Sequence, residues 1–271
     1  MNSSVTTNSF VAPFETIYRN WSFLSRTTMA EVRHLHAGSV LGHAWLVCGP
    51  LLMLGVYAVT FAAIFQVRPP DLDMTEYILY VFSGLIPFLC FSASLSAGAS
   101  SLVNNRHLLL TTSFPLELIP LRAVLVSCVG MPVGILILFL GDLLLSKVTI
   151  TWLFLPVIVI AELMFLAGVS WLLSLAALVF RDIQQIITYV MMMLMVMTPI
   201  AYTPSMIPRQ LALLIYLNPA SYFVMSFQSV LIMNELPSFK ITAIMLSISA
   251  VAFFGGYSIY RRIRNSFHDF A

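Results

Sequence analysis

TWLFLPVIVIAELMFLAGVSWLLSLAALVF, Thr151–Phe180, runs for thirty residues with a single charge, Glu162. A bilayer-spanning helix needs about 20 mostly apolar residues, so this stretch is long enough to cross and too apolar to lie against water. The rest of the chain repeats the pattern. Sixty per cent of its 271 residues are hydrophobic and 9% are charged, against about 25% charged in an ordinary soluble domain. Lipid is the solvent that fits.

Working outward, charge-free stretches give five more spans: about 39–66, 77–103, 118–144, 184–203 and 241–260. The third carries Arg122 near one end and Asp142 near the other. Residues 1–38 are expected to form a cytoplasmic tail with an amphipathic interface helix, and 39–271 a single transmembrane domain. The expected fold is an all-α integral membrane protein of six transmembrane helices, with no room for a sizeable soluble domain. Met1–Ser9 is polar and uncharged, unlike the basic start of a cleaved signal peptide.

Pro13–Glu31 predicts the amphipathic helix. Phe14, Ile17, Trp21, Leu24 and Thr28 recur at helical spacing, while Arg19, Arg26 and Arg33 repeat every seventh residue on another face. Such a helix lies in the membrane interface or packs on the spans from the cytosol; the pattern fits both. Between the fifth and last spans, the apolar stretch 207–236 is divided by Asn218-Pro219 and closed by Pro237. Neither half is long enough to cross, and a central proline disfavours one continuous helix.

The positive-inside rule settles the parity. With both termini cytoplasmic, the inner side holds Arg19, Arg26, Arg33, Arg106, Arg122, Arg181, Arg261, Arg262 and Arg264, and the outer side keeps Arg68, Lys147, Arg209 and Lys240. Stretch 207–236 is then a re-entrant hairpin from the outer face. Such backbone is tolerated only where protein or a water-filled cavity covers it, which points to a gate with Asn218, Pro219 and Tyr222 at its turn.

Several activities are excluded or lack a signature. A Walker A loop needs lysine followed by Ser or Thr, but Lys147 precedes Val148 and Lys240 precedes Ile241. Neither HExxH nor GxSxG occurs. His34, His36 and His43 lack a carboxylate or cysteine at ligand spacing, and Cys48, Cys90 and Cys128 read as small buried hydrophobes. No catalytic, cofactor or metal residues are expected.

Other features admit both functional and packing roles. Tyr57, Phe61 and Phe65 form an aromatic stripe that fits a sugar-conducting wall or plain helix packing. Glu162, an intramembrane carboxylate, is a functional candidate by default and also fits a protonated or hydrogen-bonded structural role. Met191, Met192, Met193, Met195 and Met197 read as adaptable packing. The loop 104–117, with Asn104, Asn105, Arg106, His107 and Phe114 before Pro115, is short and part apolar. It fits either a docking element for a soluble partner or a simple turn.

The chain resembles the type-2 ABC transporter permeases that export bacterial capsule and O-antigen polysaccharides. The resemblance rests on Gly38-Ser-Val-Leu-Gly-His-Ala-Trp45, Pro50-Leu-Leu-Met, Ser83-Gly-Leu-Ile-Pro-Phe88, Val103-Asn-Asn-Arg106, Phe114-Pro115, Phe180-Arg-Asp-Ile183, Thr198-Pro-Ile200 and Leu217-Asn-Pro219. It implies a homodimer in the bacterial inner membrane, bound to two copies of an ABC ATPase subunit that holds the ATP and Mg. It implies a lipid-linked polysaccharide substrate, with periplasmic export partners as a further class and no nucleic acid. It assigns the loop after span two to ATPase coupling and the hairpin to the outer gate. A histidine-bearing segment before Leu41, and Thr112 and Ser113 before Phe114, depart from the basic residues usual there. A stand-alone proton-coupled carrier using Glu162 is the principal alternative. An intramembrane enzyme using Asp71, Asp73 and Glu76 is a more distant one.

Overall fold

In the computed structural model the described residues are 11–35, 37–57, 59–60, 72–106, 115–145, 148–180, 182–206 and 208–267. Among them every regular element is helical. Four helices are long and apolar enough to cross a membrane: Met74–Asn104, Leu118–Leu144, Ile150–Val179 and Phe239–Arg264; two shorter apolar helices cover Gly42–Tyr57 and Ile183–Met197. The chain is a multi-pass membrane protein.

In chain order the α-helices are α1 (Ala12–Arg19), α2 (Trp21–His34), α3 (Trp45–Tyr57), α4 (Met74–Asn104), α5 (Leu118–Ser127) and α6 (Gly130–Leu144). There follow α7 (Leu155–Val179), α8 (Ile183–Met197), α9 (Arg209–Leu217), α10 (Pro219–Leu231) and α11 (Phe239–Phe267).

The expected boundaries shift for local reasons. The single helix predicted over Pro13–Glu31 is two helices, because Asn20 leaves helical geometry (φ −108°, ψ 14°) and its side-chain amide donates to the Thr16 carbonyl at 2.8 Å. Asparagine competes with helix in this way by bonding its own backbone. The span expected to begin at 77 starts at Met74, where the Glu76 carboxylate accepts from the Asp73 N–H at 2.9 Å, a capping-box contact. The third span tightens at Cys128–Val129 through bonds from Val129 N to Val126 O and from Met131 N to Cys128 O, so it is two helices in one rod. The fifth stops at Met197 rather than 203, ahead of Thr198-Pro199. The last span runs on past 260 through the three arginines.

The cysteine reading is also corrected. Cys90 on α4 and Cys128 after α5 are joined as a disulfide, while Cys48 is free. Both members of the pair are buried, in keeping with their apolar sequence surroundings.

The centre is a close-packed trio, α4, α7 and α11. Helices in lipid gain no hydrophobic drive from meeting one another, so they associate through close packing, which small residues permit. Gly168 of α7 faces the Ala252 backbone of α11, and Gly256 of α11 faces the Gly168 carbonyl. A Cβ at either glycine would fall inside contact distance of those backbone atoms. Gly98 of α4 likewise makes room for Ser170 of α7. Above this contact an aromatic cluster fills the core: Phe91 stacks on Phe165 with centroids 5.6 Å apart, and Phe165 meets Phe223 of α10 at 5.6 Å. By contrast α3 has no buried residue and α8 only two, Ile187 and Met191.

Gly168→Val places a branched side chain against backbone that has no room to yield, and is expected to cost about 1–3 kcal/mol or more. Gly255→Ala, where a Cβ meets nothing within 4 Å, is expected to stay within about 0.5 kcal/mol of wild type. Thermal aggregation midpoints in mild detergent check both.

Candidate coupling face and chain-break clamps

At one end of the bundle the described residues resume after α4 at Pro115. Leu116 and Glu117 are buried there, in the turn that opens α5, where the Leu116 carbonyl also accepts from the Ile119 N–H at 3.2 Å. Two aromatic side chains supply donors: the Trp171 indole N–H of α7 donates to the Glu117 carbonyl at 2.9 Å, and the Tyr260 hydroxyl of α11 donates to the Leu116 carbonyl at 3.0 Å. The Glu117 carboxylate pairs with Arg264 of α11. A buried carboxylate is costly unless paired and hydrogen-bonded, and Arg264 is the matching charge.

On the near side of the same segment, Asn105 donates to the Ser101 carbonyl at 2.8 Å and accepts from Arg122 of α5 at 3.4 Å. Arg122 also pairs with Glu31 of α2 at 2.8 Å. α1 is seated by its Thr16 hydroxyl, 2.7 Å from the Tyr257 hydroxyl of α11, and by Phe14 against Phe253 and Phe254. Arg19, Arg26 and Arg33 are all exposed, as are Asn104 and Arg106. His107 and Phe114 lie outside the described residues. The N-terminal helices, both described flanks of the loop, and the ends of α7 and α11 therefore meet at one face.

The second clamp holds the residues after α8. Thr198–Ala201 is buried but not helical, so its carbonyls need donors from elsewhere. Gln228 of α10 donates to both the Pro199 and Ile200 carbonyls at 3.0 Å, and the Tyr77 hydroxyl of α4 donates to the Ala201 carbonyl at 2.9 Å. Gly84 makes the space: a Cβ there would stand 2.6 Å from the Gln228 amide nitrogen.

Asn218, 2% exposed, sits at the turn between α9 and α10. Its side-chain oxygen accepts from the Ala220 N–H at 3.0 Å, capping α10, and its amide donates to the Thr198 hydroxyl at 2.7 Å. Pro219 opens α10 where a proline is tolerated. The Tyr222 hydroxyl donates to the Tyr216 carbonyl at 2.7 Å, closing the end of α9. The three hairpin candidates are thus one connected turn, and eleven of the thirteen α10 residues are buried.

Tyr57 is half-buried at the edge of the core, while Phe61 and Phe65 of the expected stripe lie outside the described residues. Glu162 is fully buried on α7, and neither of its carboxylate oxygens has a hydrogen-bond partner among the described residues. The structure does not bring it to the coupling face. At the far end of the bundle, a cavity of about 270 Å³ is lined by residues including Glu76, Asp142 and Asn234.

Sequence reasoning passed over Gln228, Trp171, Tyr260 and Glu117. Gln228 is the one of these with a visible signal, a long amide in an apolar run. The other three read as ordinary aromatic and loop residues.

Comparison with known proteins supplies the frame for this geometry. The family model described as ABC-2 type transporter matches residues 16–232. An O-antigen export system permease protein RfbA of Klebsiella pneumoniae is 27% identical over 247 residues, 89% of this chain and 92% of the relative. A protein of the same description from Myxococcus xanthus is 26% identical over 256 residues, 93% and 96% of the two chains.

Gln228→Leu removes both donors from the Pro199 and Ile200 carbonyls. At about 1–3 kcal/mol for each buried group left unsatisfied, it is expected to lower stability by a comparable amount. Gln228→Glu, which loses the donating amide, is expected to behave alike. Denaturation midpoints of the purified variants give the measurement.

Proposed function

The chain belongs to the ABC-2 type transporter family, and on that premise we propose that it is the membrane-spanning permease of an exporter for a lipid-linked cell-surface polysaccharide, of the O-antigen or capsule class. ATP is hydrolysed, with Mg, by a separate ATPase subunit. The observation that carries this reading is the match to O-antigen export permeases over nearly the whole of both chains. The lack of a usable phosphate-binding lysine in this chain makes a separate energy source necessary.

On this reading the chain lies in the inner membrane with both termini in the cytoplasm and six crossings, Gly42–Tyr57 and Ile183–Met197 being the two short ones. The arginines around α1, α2, α5 and the end of α11 face the cytoplasm, in keeping with the positive-inside rule. α1 and α2 lie along the interface, with Tyr18, Trp21 and Met29 exposed beside Arg19 and Arg26. α9 and α10 form a re-entrant outer gate turning at Asn218-Pro219; the near-complete burial of α10 supports this, since a segment that turns back inside the membrane needs protein around it.

A second copy of the chain completes the pathway. α3 and α8 expose Leu52, Val56, Met192, Met193 and Val196, the least covered apolar surfaces of the crossing helices, and are the favoured dimer faces. Tyr57 on α3 then borders the path. The loop after α4, with Asn105 and Arg106 at its described edge, docks on the ATPase.

Affinity purification of the tagged chain from mild detergent tests this. A stoichiometric P-loop ATPase with ATP hydrolysis is expected to accompany it. A chain that purifies alone from cells expressing its genomic neighbours, with no nucleotide hydrolysis, goes against the reading.

A further inference from the structure

Three carboxylates are buried among the described residues: Glu117, Asp142 and Glu162. Glu117 has Arg264 for a partner. Glu162 is fully buried and lines no part of the cavity at the far end of the bundle. Asp142, near the end of α6, differs from both. It is 3% exposed, its Oδ2 has no hydrogen-bond partner among the described residues, and it lines that cavity of about 270 Å³. The Trp152 indole N–H stands beside it without completing a hydrogen bond. We propose that the cavity binds a hydrated divalent cation of the magnesium class, held by Glu76, Asp142 and Asn234. This inference needs only the local geometry and does not rest on the transport reading above.

Buried charges in proteins are paired or coordinate metals, and an orphaned buried polar atom calls for an ion or a water. Among the described residues no basic side chain lines the cavity, so the two carboxylates meet no opposite charge from the protein there. Glu76 reaches it from the first turn of α4, where its Oε2 also accepts from the Asp73 N–H at 2.9 Å. Asn234 reaches it from the turn after α10, in a left-handed conformation (φ 56°) that asparagine tolerates. Its Oδ1 accepts from the Thr149 hydroxyl at 2.7 Å. Three elements distant in sequence thus bring oxygen donors to one space whose remaining described lining is apolar.

The donor set selects the class of cation. Calcium takes about six to eight oxygen ligands, and among the described residues no three His, Cys, Asp or Glu side chains come together to start such a cage. Magnesium dehydrates reluctantly, keeps several of its waters and is commonly held through one or two carboxylates. Room for those waters is present. About 10–15 Å³ of such space holds one water, and the cavity offers about 270 Å³. Asn234 and the carboxylate oxygens are then acceptors for the bound waters, and the ion joins the start of α4, the end of α6 and the turn after α10.

The test uses the purified full chain in non-ionic detergent, free of nucleotide, titrated with Mn2+ as the probe and followed by the electron paramagnetic resonance signal of the free ion. About one Mn2+ per chain is expected to bind with a Kd of about 0.1–1 mM, and Mg2+ is expected to displace it. Asp142→Asn is expected to weaken binding about tenfold or more, and Glu76→Gln to weaken it too. Glu235→Gln, at an exposed carboxylate outside the cavity lining, is expected to leave binding unchanged. Mg2+ is also expected to raise the thermal aggregation midpoint of the wild type and not that of Asp142→Asn, because a ligand of the folded state alone stabilises it. If Asp142→Asn does not accumulate, the wild-type titration and Glu76→Gln decide. Absence of saturable binding in the wild type overturns the proposal. So does binding unaltered by either cavity substitution, or displacement by spermidine but not by Mg2+, which marks an organic ammonium site instead.

Discussion

A carbonyl released from a helix at membrane depth has no water to turn to, and an unsatisfied polar group there costs several kcal/mol. At the buried turns Leu116–Glu117 and Thr198–Ala201 and at the ends of α9 and α10, side-chain donors answer that constraint. Trp171 and Tyr260 serve Glu117 and Leu116. Gln228 and Tyr77 serve Pro199, Ile200 and Ala201. Thr151 serves Val230, at the end of α10, at 2.8 Å, and Tyr222 serves Tyr216. Trp171, Tyr260, Tyr77, Gln228 and Thr151 also join elements distant in sequence. A chain built of apolar helices alone would have no such joints.

The joints radiate from the backbone contact of α7 with α11. Small residues at Gly168, Ala252 and Gly256 bring these helices closer than side chains would allow, and α4 joins them across Gly98 and Ser170. α3 and α8, without comparable burial, stand outside this unit. The Glu117–Arg264 pair attaches to this unit at α11, and the α9–α10 turn attaches, through Asn218 and Thr198, to the end of α8.

The membrane class was legible at once, because hydropathy over a window of twenty residues depends on nothing but local composition. Thr151–Phe180 could be read without knowing its neighbours. The division at Asn218-Pro219 was equally visible, since proline removes a donor wherever it stands. The break at Asn20 was not, because an asparagine inside an amphipathic pattern carries no sign of whether it bonds its own backbone. The tightening at Cys128 did have a sequence signal in Gly130 and Pro132 just beyond it, since Pro132 has no N–H to offer the Cys128 carbonyl four residues back. The Cys90–Cys128 pairing and the Glu117–Arg264 pair depend on contacts 38 and 147 residues apart, and no local pattern reports those. The same holds for Gln228, whose partners are carbonyls and therefore independent of residue type. Of the segment after α4, sequence reasoning singled out Asn104, Asn105 and Arg106 but not Leu116 and Glu117, whose carbonyls Tyr260 and Trp171 bond. Phe61, Phe65, His107 and Phe114 fall outside the described residues, so the aromatic stripe and the loop's centre rest on sequence alone.

The account turns on energy arriving from a partner rather than from a proton gradient through Glu162, whose buried carboxyl is the feature a carrier would use. Reconstitution decides this: purified chain in proteoliposomes, with and without the co-purified ATPase, assayed for movement of a lipid-linked glycan across the bilayer. The account predicts movement only when the ATPase and hydrolysable ATP are both present, indifferent to an imposed pH gradient. Movement by the chain alone, driven by the gradient and abolished by Glu162→Gln, would contradict it.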